Sequence, residues 1–216
     1  MKLVLIMDKE IFKRFLKENF PKNYDSYLQN FSNYLQIITE INRSVNLVSR
    51  KTLKSEFWVK HFLDSVMVFK LTEFKNKKIL DFGTGGGMPG IPLKIIFPSA
   101  KMYLLDSTEK KIQAVKKMIK KLDLSDCFTI VSRIEEMDDN WDDFFDLIVC
   151  RSVKIIPRYR RKLFRLLSKN GEILLYKGRK IEDVQIFSKY KIWDLSHPAL
   201  GERKIVQIKK EWEDYE

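Results

Sequence analysis

The sequence predicts an α/β fold, in which a mainly parallel sheet of seven strands ends in an antiparallel hairpin and follows a helical appendage. From about residue 78, short apolar runs alternate with helical patterns, which is typical of a parallel sheet covered by crossover helices. Only a short loop, residues 197–201, separates the last two apolar runs, so these strands should pair antiparallel. We therefore divide the 216 residues into an appendage, 1–75, and a body, 76–216, which together form one compact unit.

The appendage is predicted to contain three helices. Asp8 is expected to cap the first, which runs to about Phe20. Apolar residues spaced by three and four continue from Tyr24 to Ile41 and predict the second, the strongest helical signal in the chain. A basic connector, residues 42–51, leads to a third helix over about residues 53–69.

The body is predicted from its alternating apolar and helical patterns. Strands are expected at 78–82, 101–105, 128–131, 145–150, 171–176, 191–195 and 204–209. Helices are expected at about 89–97, 108–122 and 157–168, with a weaker one near 181–189.

Composition limits the environment and the partners. The net charge of +12 favours a polyanion or an anionic membrane surface as partner. No apolar run approaches the roughly 20 residues of a membrane span. The two cysteines lack metal-ligand spacing and indicate a reducing compartment. We expect a cytoplasmic protein, monomeric by default, with no metal site and no membrane contact.

The glycine-rich stretch 78–92 predicts a nucleotide-type cofactor site. A short apolar strand leads into glycines and then a helix start, which presents backbone N–H groups to a ligand. Gly85-x-Gly87-x-x-Gly90 also fits the dinucleotide fingerprint, so a NAD-dependent oxidoreductase is an open alternative. Asp81 suits the amino group of S-adenosylmethionine (SAM) better than a pyrophosphate, and the residues favour SAM. Asp106, 19 residues beyond Gly87, can accept the ribose hydroxyls of either cofactor.

Motifs along the chain carry a more specific resemblance. They are NLVS at 46–49, HFLDS at 61–65, DFGTGGGMPGIPL at 81–93, LLDS at 104–107, SRIEE at 132–136, the segment 145–151, KG at 177–178 and GER at 201–203. With these, the chain resembles the bacterial small-subunit ribosomal RNA methyltransferase G family, also called glucose-inhibited division protein B, from about residue 30 to 210. The resemblance implies the Rossmann-like class I fold of SAM-dependent methyltransferases.

The resemblance also implies a reaction and a set of residues. The family uses SAM to methylate N7 of one guanine in 16S rRNA near the decoding centre, releasing S-adenosylhomocysteine, and its partner is the small ribosomal subunit. The implied cofactor contacts are Gly83, Met88, Ile134, Glu135 and Arg151, with Asp106 on the ribose. The strand end and glycine loop add Asp81, Gly85 and Gly87 to the cofactor site, and Ser107 follows Asp106 in the same site.

Guanine N7 chemistry needs no dedicated base. N7 carries an in-plane lone pair and no proton, so alignment and exclusion of water are the enzyme's work. Arg151 is the candidate catalytic residue, in a positioning role, and its alternative interpretation is an ion pair with the acids at 135–146. Cys150 is interpreted as a small hydrophobe at a strand end rather than as a nucleophile.

The remaining candidates concern RNA. Arg158, Arg160 and Arg161 flank an aromatic residue just beyond the strand ends and, with Lys177 and Arg179, are the predicted phosphate-binding patch. An ordinary basic helix start is the alternative. His61 and Asp64 are expected to hold the appendage against the cofactor loop. A basic rRNA-binding or assembly factor without turnover is the non-enzyme alternative.

Overall fold

The computed structural model describes residues 2–49 and 56–212, with side chains from residue 7 onwards. One seven-stranded sheet forms its centre. The strands are β1 Lys78–Phe82, β2 Lys101–Asp106, β3 Cys127–Val131, β4 Phe145–Arg151, β5 Leu167–Lys177, β6 Lys191–Asp194 and β7 Lys204–Lys209. Their order is β3-β2-β1-β4-β5-β7-β6. β1 to β5 pair in parallel, and β7 pairs antiparallel with both β5 and β6, so the predicted sheet is confirmed.

The strand order and register bring three chemistry-bearing segments to one edge of the sheet. β1 lies between β2 and β4, and the order of the strands changes direction at this point, which creates a crevice outside the carboxyl ends of these strands. Phe82 at the end of β1 pairs with Leu105 on β2 and with Cys150 on β4. The residues that follow these three, Gly83, Asp106 and Arg151, therefore emerge together at the crevice.

Helices lie before and between the strands. They are α1 Lys2–Asn19, α2 Tyr24–Ile41, α3 Gly90–Ile96, α4 Glu109–Lys121 and α5 Pro157–Leu166. A further helical segment has wide π-type turns over Trp58–Leu63, one α turn over Asp64–Val66 and a tight 3-10 turn over Met67–Lys70. We call these three turns the 58–70 segment. Among the residues the structure describes, no helix is long and apolar enough to cross a membrane.

Three expectations for the helices need comment. The cap assigned to Asp8 is wrong, because Asp8 is buried in the middle of α1 and accepts hydrogen bonds from the backbone N–H groups of Trp58 (2.8 Å) and Val59 (3.1 Å). The third helix is the irregular 58–70 segment, and the start of its expected range, 53–55, lies outside the described residues. The weak helix near 181–189 is reduced to one turn, Glu182–Val184.

Two apolar clusters cover the two faces of the sheet. The larger joins α1, α2 and the 58–70 segment to α3, α4 and one sheet face, and it includes Phe12, Tyr34, Phe62, Leu104 and Leu174. The other packs α5 against the opposite face through residues such as Leu163 and Ile148. The appendage therefore shares its core with the sheet, directly behind the crevice. The boundary at residue 75 stays a prediction.

Candidate active site

The turn after β1 brings the backbone close to the crevice. The N–H groups of Gly83 and Thr84 both donate to the carbonyl oxygen of Leu105 on β2, each at 2.9 Å. Gly83 has a φ of +76°, and a Cβ placed on it would lie 2.4 Å from Cγ2 of Val153. Any larger residue would therefore clash with the loop after β4 and be strained in its backbone. Glycine is needed here for both reasons.

The carboxylate of Asp81, in β1, stabilises this turn through hydrogen bonds. This carboxylate is fully buried, and Oδ2 accepts hydrogen bonds from the Thr84 hydroxyl (2.6 Å) and the Gly90 N–H (2.8 Å). Within the described part of the chain, its other oxygen, Oδ1, is buried with no hydrogen-bond partner. Burial raises the pKa of Asp81 to about 6, although the Thr84 and Gly90 hydrogen bonds act in the opposite direction. The expected contact of Asp81 with the SAM amino group stays a prediction.

Asp106 lies at the carboxyl end of β2 beside a cavity of about 390 Å³, which we call the glycine-loop cavity. Its Oδ2 accepts the N–H of Gly85 (3.1 Å) and its Oδ1 accepts the N–H of Thr108 (2.9 Å). Each carboxylate oxygen has two lone pairs, so both can accept one more hydrogen bond from a ribose hydroxyl. Six further predicted cofactor residues line the same cavity, namely Gly83, Gly85, Ser107, Ile134, Glu135 and Arg151.

These residues fit SAM. A close backbone approach at Gly83 and a carboxylate with free lone pairs suit an adenosine and its ribose. The predicted contacts Gly87 and Met88 do not line this cavity. A Cβ on Gly87 would lie 2.5 Å from the Ile91 side chain, so Gly87 packs the loop against α3.

Arg151, at the end of β4, is held by groups from the appendage. Its Nη1 donates to Oδ2 of Asp64 at 3.1 Å and its Nη2 contacts Nδ1 of His61 at 3.0 Å. Nη2 also lies 3.4 Å from Sδ of Met88. The expected link between the 61–65 motif and the cofactor loop therefore runs through Arg151. Its alternative interpretation, an ion pair with the acids at 135–146, does not match this arrangement.

His61 acts as an acceptor in this arrangement. Burial, and secondarily the charge of Arg151, lower the pKa of His61 to about 3. The imidazole is therefore neutral at physiological pH. Because an arginine can only donate, Nδ1 is the acceptor and the ring proton lies on Nε2. With its pKa this low and Nδ1 engaged by Arg151, the imidazole is a weak base, and its contact helps to orient the Arg151 guanidinium.

Asp64 links Arg151 to the C-terminal hairpin. While Oδ2 binds Arg151, Oδ1 accepts a hydrogen bond of 2.8 Å from Nε of Arg203, in the connection between β6 and β7. The side chains of Asp64 and Arg151 are only 10% and 12% exposed, which makes this a shielded ion-pair cluster. It joins the 58–70 segment, β4 and the hairpin at one point.

A second cavity of about 910 Å³ lies next to the first, and we call it the large cavity. Residues 151–153 line both cavities, so the two cavities meet at these residues. The large cavity is also lined by Asp64, Tyr176, Lys177, Asp183 and Arg203. Its size is in the range of small-molecule and nucleobase sites. A ligand bound there would meet the glycine-loop cavity at Arg151.

The predicted phosphate-binding patch is only partly free for RNA. Tyr159 packs edge-on against Phe82 and lines the glycine-loop cavity, which places the start of α5 beside that cavity. Arg158 forms an ion pair with Glu135 at 3.1 Å, and Arg179 pairs with Glu202 at 3.0 Å.

The other members of the patch differ in exposure. Arg160 contacts Ser188 and the Phe164 ring, whereas Arg161 is exposed. Lys177 lies inside the large cavity, paired with Asp183. The role of these side chains in RNA binding stays a prediction.

Several site residues were missed from the sequence. Arg203 and Asp183 approach the site from segments far along the chain, and only the GER motif at 201–203 pointed to the first. Tyr34 donates from its hydroxyl to the carbonyl of Gly86 at 2.7 Å and so ties α2 to the glycine loop. Cys150 is buried, and burial raises the pKa of its thiol, in agreement with its interpretation as a core residue.

Comparison with known proteins identifies the family. The model of the GidB family, described as rRNA small subunit methyltransferase G, matches residues 27–197. The chain belongs to this family. Three relatives are each named ribosomal RNA small subunit methyltransferase G. The one from Christiangramia forsetii is 33% identical, over 84% of this chain and 87% of the relative. The one from Acetivibrio thermocellus is 34% identical, over 74% of this chain and 67% of the relative. The one from Chlorobaculum tepidum is 38% identical, over 69% of this chain and 68% of the relative.

Solved structures agree on the fold. A SAM-dependent O-methyltransferase from Thermotoga maritima has a TM-score of 0.58 at 18% identity, covering 83% of this chain and 73% of its own. TYW2 of M. jannaschii, solved in complex with AdoMet, has a TM-score of 0.53 at 15% identity, covering 76% of each chain. The Rossmann-like methyltransferase fold is thus confirmed, and family membership makes this chain a SAM-dependent methyltransferase rather than a NAD-dependent oxidoreductase.

Proposed function

We propose that this protein transfers the methyl group of SAM to N7 of one guanine in 16S rRNA, near the decoding centre. The observation that carries the proposal is that the two cavities meet at residues 151–153. The glycine-loop cavity has the residues that suit SAM, and the neighbouring large cavity has room for a base next to it. SAM supplies an electrophilic methyl group when it is bound.

The charged groups of the large cavity suit a nucleophile that needs no deprotonation. Asp64 is engaged by two arginines, and His61 is neutral and turned towards Arg151. Asp183 is paired with Lys177. Each of these three groups contacts a cationic side chain, which lowers its tendency to take up a proton. Guanine N7 has a lone pair in the ring plane and no proton to lose, so positioning by a fixed Arg151 is sufficient.

The surroundings of the large cavity support a nucleic-acid substrate. Basic residues 154, 177, 180, 203 and 204 line it, and the start of α5 with Arg158 and Arg161 lies beside the glycine-loop cavity. These charges would attract phosphates and make binding dependent on salt. We expect the small ribosomal subunit as the partner and the cytoplasm as the location.

Methyl transfer to purified small subunits tests the proposal. Subunits from a strain lacking this protein are incubated with labelled SAM, and the digested rRNA is analysed by nucleoside mass spectrometry. The proposal predicts one 7-methylguanosine per 16S rRNA. Label in another nucleoside would refute the assignment of the atom. Salt-sensitive RNA binding with no label would instead favour the assembly factor without turnover.

A further inference from the structure

The large cavity contains acidic side chains that a site for a polyanion would not be expected to have. Its lining includes six basic residues, Arg151, Lys154, Lys177, Lys180, Arg203 and Lys204, and three acidic ones, Asp64, Glu182 and Asp183. A carboxylate in such a place repels the phosphates that the basic residues attract. Each acid therefore needs a separate explanation.

Two of the acids are accounted for. Asp64 uses one oxygen for Arg151 and the other for Arg203, so it fixes two cations. Glu182 is exposed at the first turn after β5, where solvent screens its charge.

Asp183 is different, because its carboxylate is fixed on one side only. Its Oδ2 accepts hydrogen bonds from Nζ of Lys177 (2.5 Å) and from the N–H of Ile155 (2.8 Å). Its side chain is 15% exposed, and that of Lys177 is 10% exposed. Over residues 2–49 and 56–212, no hydrogen bond to Oδ1 is found. The carboxylate that lines the cavity is therefore held through Oδ2, and Oδ1 can still accept hydrogen bonds.

We propose that the Asp183–Lys177 pair recognises the target base. The Asp183 carboxylate, through Oδ1, accepts the N1–H and exocyclic N2–H of guanine, and a remaining ammonium proton of Lys177 donates to O6. This inference rests on the proposed function, because it specifies how the substrate base is selected in the same site.

The pair is selective for guanine on chemical grounds. Guanine has two neighbouring donors, N1–H and N2–H, beside the acceptor O6. Adenine has an acceptor at N1 and a donor at its neighbouring exocyclic amino group. In the same position, its N1 acceptor would face the Asp183 carboxylate and its amino donor would face the Lys177 ammonium group, so neither could form a hydrogen bond. Buried polar groups left without partners are costly, which gives strong discrimination against the wrong base.

The sheet register places this pair beside the transfer site. Arg151 on β4 pairs with Tyr176 on β5, so Lys177 follows directly after the partner of Arg151. O6 and N7 lie on the same edge of guanine. A base whose O6 is bound by Lys177 can therefore turn N7 towards the glycine-loop cavity at Arg151, while its N1 edge faces Asp183.

Inosine provides the test, because it is guanosine without the N2 amino group. Small subunits are reconstituted with guanosine or inosine at the target position, and kcat/KM for methyl transfer is measured with each. The wild-type protein should prefer guanosine by about tenfold or more. Asp183→Asn should leave the SAM affinity measured by calorimetry unchanged. It should lower kcat/KM on guanosine by about tenfold or more and reduce the preference for guanosine over inosine to near unity. Asp139→Asn, which removes the same charge at a side chain that is 82% exposed and lines neither cavity, should leave the preference unchanged.

The outcomes separate the two proposals. If wild-type protein methylates N7 of guanosine and inosine with equal kcat/KM, base recognition by Asp183 is refuted while the proposed function stands. The same holds if Asp183→Asn retains the full wild-type preference. If guanosine acquires no N7-methyl group at all, the proposed function itself fails. The comparison of the two substrates needs only the wild-type protein, so it is informative even if the variant does not fold.

Discussion

The substitution Asp64→Asn tests whether the ion-pair cluster positions Arg151. Asparagine has the same shape but no charge, so the two arginines at 3.1 Å and 2.8 Å lose their counter-ion. Arg203 is 31% exposed and its contribution is largely screened by solvent, whereas Arg151 is 12% exposed. Hydrogen bonds to charged groups contribute about 1.5–3 kcal/mol, and leaving a shielded charge unpaired costs about 3–5 kcal/mol.

Because asparagine retains one acceptor oxygen, we expect a loss of about 2–4 kcal/mol in unfolding free energy. For a chain of this size, that lowers Tm by about 4–16 °C. Methyl transfer should be impaired as well, with kcat/KM reduced about tenfold or more, because Arg151 loses its fixed orientation where the two cavities meet.

Differential scanning calorimetry and a methyl-transfer assay measure the two effects of Asp64→Asn. Glu136→Gln is a matched control, since Glu136 pairs with Arg133 at 3.8 Å and its side chain is 64% exposed. Exposed pairs contribute about 0–1 kcal/mol, so this variant should stay close to wild type in both assays. If Asp64→Asn were as stable and as active as Glu136→Gln, the positioning role of the cluster would be refuted.

Three further predictions follow from the site. Gly83→Ala should abolish SAM binding, measured by calorimetry, because its Cβ would meet Val153. Gly201→Ala is the control: at a φ of +73°, with no atom within 4 Å of the added Cβ, it introduces only backbone strain and should bind SAM normally. Asp106→Ala should weaken SAM binding about tenfold or more through lost ribose contacts, and unchanged affinity would remove this assignment. Burial lowers the pKa of His61 from 6.5 to about 3, so below pH 6.5 the unfolded chain binds a proton that the folded chain does not. Acidification from pH 6.5 should therefore reduce the free energy of unfolding by about 1.4 kcal/mol per pH unit through this group. In urea titrations at several pH values, the unfolding free energy of His61→Gln should fall less steeply with acidification than that of the wild type, because this contribution is missing.

Most strands were predictable from the sequence because their centres are apolar runs bounded by charged or turn-forming residues. The expected bounds of β1 and β7 match the structure, and β2 is one residue longer. β5 begins at Leu167 rather than at residue 171, because Leu167 pairs with Phe145 ahead of an irregularity in register. Such an extension depends on the neighbouring strand and has no signal in the local pattern.

Contacts between distant segments explain the failures among the helices and in the site. Asp8 looked like a helix cap because of its place before an apolar pattern, yet its partners are about fifty residues away. Arg151 was predicted at the strand end, but its partner Asp64 is 87 positions away. Arg203 lies 139 positions from Asp64. The sequence indicates which residues carry charge, and only the fold determines which charges meet.

Replacing the target guanosine with 7-deazaguanosine tests the central claim most directly. This analogue has C–H in place of N7 and keeps the N1, N2 and O6 groups that the base site is proposed to recognise. Small subunits reconstituted with it should bind the protein as well as normal subunits do, yet accept no labelled methyl group from SAM. Methyl incorporation into the analogue at the rate seen for guanosine would contradict the account, because the methyl group would then be delivered to a different atom.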